Sequence, residues 1–183
     1  MVYRGHIILG YALCLSPVLI PDIREHIEYL FNPISLGFIL ITIYFFSLFP
    51  DLDEPHAYLS KRFPWNIVSI PLSTIVTHRG ITHTFLFSIV FPALLAIGLY
   101  SFGLLYKYNY LVIISWLAYI SHLVGDSLTK SGVKWFYPFS KKSYHFLPKK
   151  LTFKTGSFVE DIITVLLLFV VIDELTIIII HFH

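Results

Sequence analysis

Histidine and aspartate recur in this chain at spacings that suit a metal ion. In "WLAYISHLVGDSLT" (116–129), His122 and Asp126 are four apart, so a helix projects both from one face. "FPDLDEPH" supplies Asp51 and Asp53, and "THRGITHTF" supplies His78, Arg79 and His83. His6 lies near the start and Glu160 closes "TGSFVE". Imidazole nitrogens and carboxylate oxygens in one set suit zinc first, with manganese or iron as alternatives. His78 and His83 would lie about 140° apart on a continuous helix, so they converge only with a break at Gly80, or else serve separate roles. A turn after Pro50 would let one of Asp51 and Asp53 reach a metal while the other supports a ligand from behind.

The elements that must position these residues are apolar. The 183 residues are 56% hydrophobic and only 13% charged, well below the roughly one quarter usual in soluble domains. That balance, with 17 Phe and 12 Tyr, points to a membrane protein. A single cysteine, Cys14, excludes both an internal disulfide framework and a cysteine-based zinc site. Apolar segments run over 6–20, 34–50, 85–106, 110–128 and about 158–180. The first is short for a span of about 20 residues, and Pro92 is expected to kink the third. The first also lacks the marks of a cleavable signal peptide. "KYN" (107–109) reads as the tight connection of a helical hairpin. The expected fold is all-α: one domain over 1–183, an integral membrane bundle of four to five helices.

Charge placement orients that bundle. Loop 129–157 holds Lys130, Lys134, Lys141, Lys142, Lys149, Lys150 and Lys154 with no acidic residue, and loop 51–84 adds Lys61, Arg62 and Arg79. The opposite side receives only Arg24 and Lys107, so both long loops and the N-terminus are expected in the cytoplasm. On this layout His6, Asp51, Asp53, His78, His83, His122, Asp126 and Glu160 all fall at the cytoplasmic ends of the helices. Ionisable groups at membrane depth are costly unless paired, and mark function by default. Plainer readings hold elsewhere. His26, His56, His145, His181 and His183 read as interfacial, and "DLDEPH" alone as a helix cap and turn. Asp161, Asp173 and Glu174 stay outside the site.

The ordered series "HIILG", "FPDLD", "THRGITHT", "SHLVGDSLTKSGVKWFYPFS" and "TGSFVE" resembles the YdjM-like family, the LexA-regulated, membrane-bound metal-dependent hydrolases of bacteria. The resemblance runs from His6 to Glu160. It implies a multi-pass protein of the bacterial inner membrane with hydrolase activity. The family is also distantly similar to the zinc-dependent phospholipase C and nuclease group, whose His-x-x-x-Asp pair matches His122 and Asp126. Carried over residue by residue, the ligands are His6, Asp51 or Asp53, His78, His122 and Asp126; Glu160 matches the carboxylate after "TGS", and His83 and Arg79 belong to the motif. With the positional reading, the full candidate metal set is His6, Asp51, Asp53, His78, His83, His122, Asp126 and Glu160, with Asp51, Asp53, Arg79 and Glu160 as candidate catalytic groups.

The expected reaction is cleavage of a phosphoester in a lipid or lipid-linked substrate at the membrane surface. A divalent ion activates water, Asp51 or Asp53 takes its proton, and Arg79 clamps a phosphate oxygen. Lys130 and Lys134 would draw an anionic headgroup. Membrane lipids are the expected partners, and nucleic acid is not. An ion or proton transporter would place its polar residues near the midplane. A structural protein would use the same ligands to fix its helices.

Overall fold

A computed structural model describes residues 1–24, 26–75 and 80–182. Among these the chain is all-helical, with seven α-helices and no strands: α1 (Tyr3–Leu15), α2 (Pro21–Arg24), α3 (Pro33–Phe46), α4 (Trp65–Ile75), α5 (Phe85–Ser101), α6 (Leu105–Ser127) and α7 (Phe158–Ile180). Short 3₁₀ turns cover Phe49–Asp53 and Ile81–His83.

Local chemistry sets the helix ends. Asn32 caps α3 by accepting from the Ile34 and Ser35 amides at 3.0 and 3.1 Å, with Pro33 in the first turn. Thr84 caps α5 through the Phe87 amide at 3.3 Å. The hairpin turns earlier than "KYN". Gly103 adopts φ +68°, and the Leu104 amide reaches back to the Leu99 carbonyl at 2.8 Å. Glycine enters this left-handed region without a Cβ penalty, so the helix stops there. Residues 107–109 instead lie inside α6, where Tyr108 bears the only non-helical dihedrals (φ −123°, ψ 22°). α4 lies within what the apolar pattern left as loop.

α6 is the central helix, packed by α1, α3 and α5, while α7 lies behind α1. The buried face of α6 carries Leu111, Ile114, Ala118, Tyr119, His122 and Asp126, which recur at three and four residues as a helical face requires. Cys14 is buried in the apolar core with Ile39, Ile43 and Leu123. α7 buries only Glu160, Val171, Glu174 and Ile178 and leaves a broad apolar surface exposed. α6 and α7, at 23 residues each, are long and apolar enough to cross a membrane. At 1.5 Å per residue each extends about 34 Å, against about 30 Å of hydrocarbon. α3 and α5 are shorter apolar helices.

Two arrangements hold the site end together. Residues 129–157 fold back on it, with the Lys130 amide on the Phe153 carbonyl at 2.9 Å and Trp135 Nε1 on Ser127 Oγ at 2.9 Å. α1 meets the end of α3 at Gly10, where a Cβ would collide with Ser47 Oγ and lie 3.3 Å from Ile43 Cγ2. Gly10→Ala should therefore destabilise the protein by about 1–3 kcal/mol in detergent-phase unfolding. Gly37→Ala meets open space and should be neutral or stabilising by up to about 1 kcal/mol. Equal effects would contradict the close α1–α3 approach.

Candidate metal centre

The site is built from four separate segments. His6 sits in α1, Asp51 and Asp53 in the 3₁₀ turn after α3, His83 in the 3₁₀ turn before α5, and His122 and Asp126 near the end of α6. His6, Asp53, His83, His122 and Asp126 are buried, while Asp51 keeps 22% of its side chain exposed.

His122 is the hub. Its Nδ1 lies 2.8 Å from the Ser47 carbonyl, which can only accept, so Nδ1 donates and Nε2 of the neutral ring presents a lone pair inward. That Nε2 lies 3.3 Å from His83 Nε2, 3.6 Å from Asp51 Oδ1 and 3.9 Å from Asp126 Oδ2. His83 Nε2 lies 3.3 Å from Asp51 Oδ1 and 3.9 Å from Asp126 Oδ2. In a tetrahedral site with bonds of about 2.0–2.1 Å, neighbouring donors stand about 3.3–3.4 Å apart. The observed separations are at or slightly above that edge length. Two sets meet the geometry for holding a metal, His6–His122–Asp126 and Asp51–His83–His122, and they share His122.

The surrounding contacts orient these donors. Thr82 donates its hydroxyl to Asp53 Oδ2 at 2.6 Å, so its oxygen accepts from His83 Nδ1 at 3.1 Å. Asp53 Oδ2 itself lies 3.6 Å from His83 Nδ1, a carboxylate behind the ring that fixes its tautomer. Tyr119 donates to the Thr82 carbonyl at 2.6 Å, tying this turn to α6. His6 stacks on His122 with centroids 3.6 Å apart and planes at 7°, and its Nε2 lies 3.4 Å from Asp126 Oδ1. The Met1 amino group also donates to Asp126 Oδ1. His6 Nδ1 is buried with no hydrogen-bond partner among the described residues, as a nitrogen facing a cation would be.

The residues singled out by sequence thus divide. His6, Asp51, Asp53, His83, His122 and Asp126 come together. Glu160 belongs to neither set of three: its Oε1 accepts the Val2 amide at 2.6 Å and its Oε2 the Gly156 amide at 2.8 Å, so it anchors the start of α1 to α7. His78 and Arg79 lie outside the described residues. Thr82, Tyr119 and Ser47 were missed. Tyr119 was readable, since it precedes His122 by three residues and shares its helical face. Thr82 lies inside the histidine motif, whereas Ser47 contributes only a backbone carbonyl and carries no signal.

The fold defines a class, an all-helical chain with membrane-length helices and a buried His/Asp cluster at one end. Residues 1–181 match the model of the YdjM inner membrane protein family, and the chain belongs to that family. It is similar to the inner membrane protein YdjM of Escherichia coli (strain K12) and of Shigella flexneri, 32% identical to each over 102 residues. Those alignments cover 50% of this chain and 44% of each relative, so the chain spans less than half the length of the curated relatives it matches. No solved structure matches it.

Protons bear on the cluster through its two 3₁₀ turns. Burial alone would lower the His83 pKa, but hydrogen bonds and attraction from Asp51 and Asp53 raise it to about 9, from an ordinary 6.5. Burial would raise Asp51, yet the neighbouring His122 and His83 imidazoles, with the His83 hydrogen bond, hold it below the carboxylate range. His83 therefore stabilises the metal-free fold fully below pH 6.5, and that contribution is lost as pH rises through about 9. Chelator-treated protein should melt at lower temperature as pH rises across this window, and His83→Asn should flatten the slope. A profile that is flat for the unsubstituted protein would contradict the His83–carboxylate contacts.

Proposed function

We propose that this protein is a multi-pass inner-membrane, zinc-dependent hydrolase that cleaves a phosphoester of a lipid or lipid-linked substrate at the cytoplasmic membrane surface. The observation that carries this reading is the placement of Asp51 Oδ1 and Asp126 Oδ2 each within 3.3–3.9 Å of both His83 Nε2 and His122 Nε2, which themselves lie 3.3 Å apart. Two imidazoles and two carboxylates suit zinc, and His6 Nδ1, buried with no hydrogen-bond partner among the described residues, fits a cation nearby.

The chain's own groups divide the work. A divalent ion held there would polarise a phosphoryl oxygen and lower the pKa of water. Asp51, the one partly exposed member, accepts the proton of the attacking water. Asp53 and Thr82 keep the Nδ1 side of His83 occupied, so its Nε2 stays directed inward. His6 and the Met1 amino group hold Asp126 Oδ1, leaving Oδ2 toward the centre. Arg79 supplies a guanidinium for a phosphate oxygen, and exposed Lys130 draws the anionic head toward this end. The names of the bacterial relatives support the inner-membrane location, and the lysine-rich loop supports the cytoplasmic orientation of this end.

One observation favours a second reading, a metal that only fixes the helices. His6, His83, His122 and Asp126 are each at most 1% exposed, which suits a closed structural site. Elemental analysis of the purified protein should find zinc, and His122→Ala or Asp126→Ala should lose it. Asp53→Asn should weaken metal affinity about 10–100-fold, because it removes a group that orients a ligand. A panel of phosphate esters and phospholipids then separates the readings. Metal-dependent turnover lost with Asp51→Asn supports the hydrolase, and a metal-loaded protein inert on the panel supports the structural role. Variants that fold and keep full metal would overturn the ligand set.

A further inference from the structure

A groove of about 460 Å³ runs between the N-terminal halves of α1 and α7, outside the His/Asp cluster. Its walls are apolar, formed by Ile7, Ile8, Val165 and Leu168, and its mouth carries one cation, Arg4, and one anion, Asp161. We infer that this groove holds one zwitterionic phospholipid, a glycerolipid whose headgroup carries both a phosphate and a primary ammonium.

Charge and shape both select this occupant. Arg4 Nε is engaged by the Tyr3 hydroxyl at 3.0 Å, which leaves the terminal guanidinium nitrogens of this exposed residue to grip a phosphate. Asp161, exposed in the first turn of α7, meets the ammonium. A lipid whose head is only anionic gains from Arg4 but is repelled by Asp161. A choline head has no N–H to donate to the carboxylate. The volume lies within the usual range of small-ligand sites, about 300–1,000 Å³. From the mouth, an acyl chain follows Ile8, Val165 and Leu168 onto the exposed apolar surface of α7.

The placement gives the lipid a task. The groove's walls are α1 and α7, and the buried side of α1 carries His6. Val2, which lines the groove, also donates its amide to Glu160. A lipid seated here clamps α1 to α7 directly behind the metal ligands. This rests on the membrane-surface placement proposed above, and not on turnover.

Native mass spectrometry of the detergent-purified protein, exposed to equal amounts of phosphatidylethanolamine, phosphatidylglycerol and phosphatidylcholine, tests it. The ethanolamine lipid should be retained at one per chain, and the other two about fivefold less, as expected for the loss of one charge contact. Asp161→Asn should erase the preference over phosphatidylglycerol, and Arg4→Gln should weaken all three. Val165→Trp fills the groove while sparing both charges, and should abolish retention. All three side chains are exposed, so melting temperatures without lipid should stay close to that of the unsubstituted protein. Equal retention of the three lipids, or an ethanolamine preference that survives Asp161→Asn, would overturn the inference. Metal content measured on the same samples separates the outcomes: a lost preference with full metal refutes the lipid site alone.

Discussion

Four acid or imidazole side chains with almost no solvent contact have to satisfy one another, and the rest of the structure answers to that constraint. An isolated ion moved into a protein interior costs several kcal/mol even after relaxation. His6, His83, His122 and Asp126 avoid that cost by sharing a small volume with Asp51 and Asp53. The hub is the His122 contact with the Ser47 carbonyl, which directs the other ring nitrogen to the centre. Because Ser47 ends α3 and His122 sits in α6, this bond sets the register of those helices. Gly10 of α1 closes against the same serine, so His6 arrives stacked on His122.

The helices divide between building this cluster and presenting an apolar surface. α6 buries a full face and supplies two of the central donors, whereas α7 buries a narrow stripe and leaves most of its surface apolar and exposed. Glu160 links the two tasks. Both of its oxygens are spent on backbone amides, which fasten the start of α1 at the base of α7. A carboxylate at a conspicuous sequence position is therefore a strut beside the centre, not one of its two sets of donors.

Much of this was legible because the signals are physical. Long apolar runs in a chain with 13% charge announce membrane-type helices, and the helices over 33–46, 85–101, 105–127 and 158–180 overlap the apolar runs 34–50, 85–106, 110–128 and 158–180. The spacing of His122 and Asp126 is a helical repeat, and a helix is what carries them. Asp51 and Asp53 separate as a tight turn allows, one toward the imidazole nitrogens and one behind His83. The hairpin turn was misread because polar 107–109 outweighed Gly103, the residue with the required dihedral. Glu160 and Ser47 show the deeper limit. Whether a carboxylate meets amides or metal, and where a bare carbonyl points, depends on tertiary approach that local pattern does not encode.

The central claim, that imidazole and carboxylate donors from separate segments converge on one ion, is tested most directly by X-ray absorption of the zinc-loaded protein. The account predicts a first shell of nitrogen and oxygen at about 2.0–2.1 Å, with the multiple scattering of at least two imidazoles, which diminishes in His122→Ala. A shell of oxygen alone without imidazole scattering, or one unchanged by His122→Ala, would contradict it.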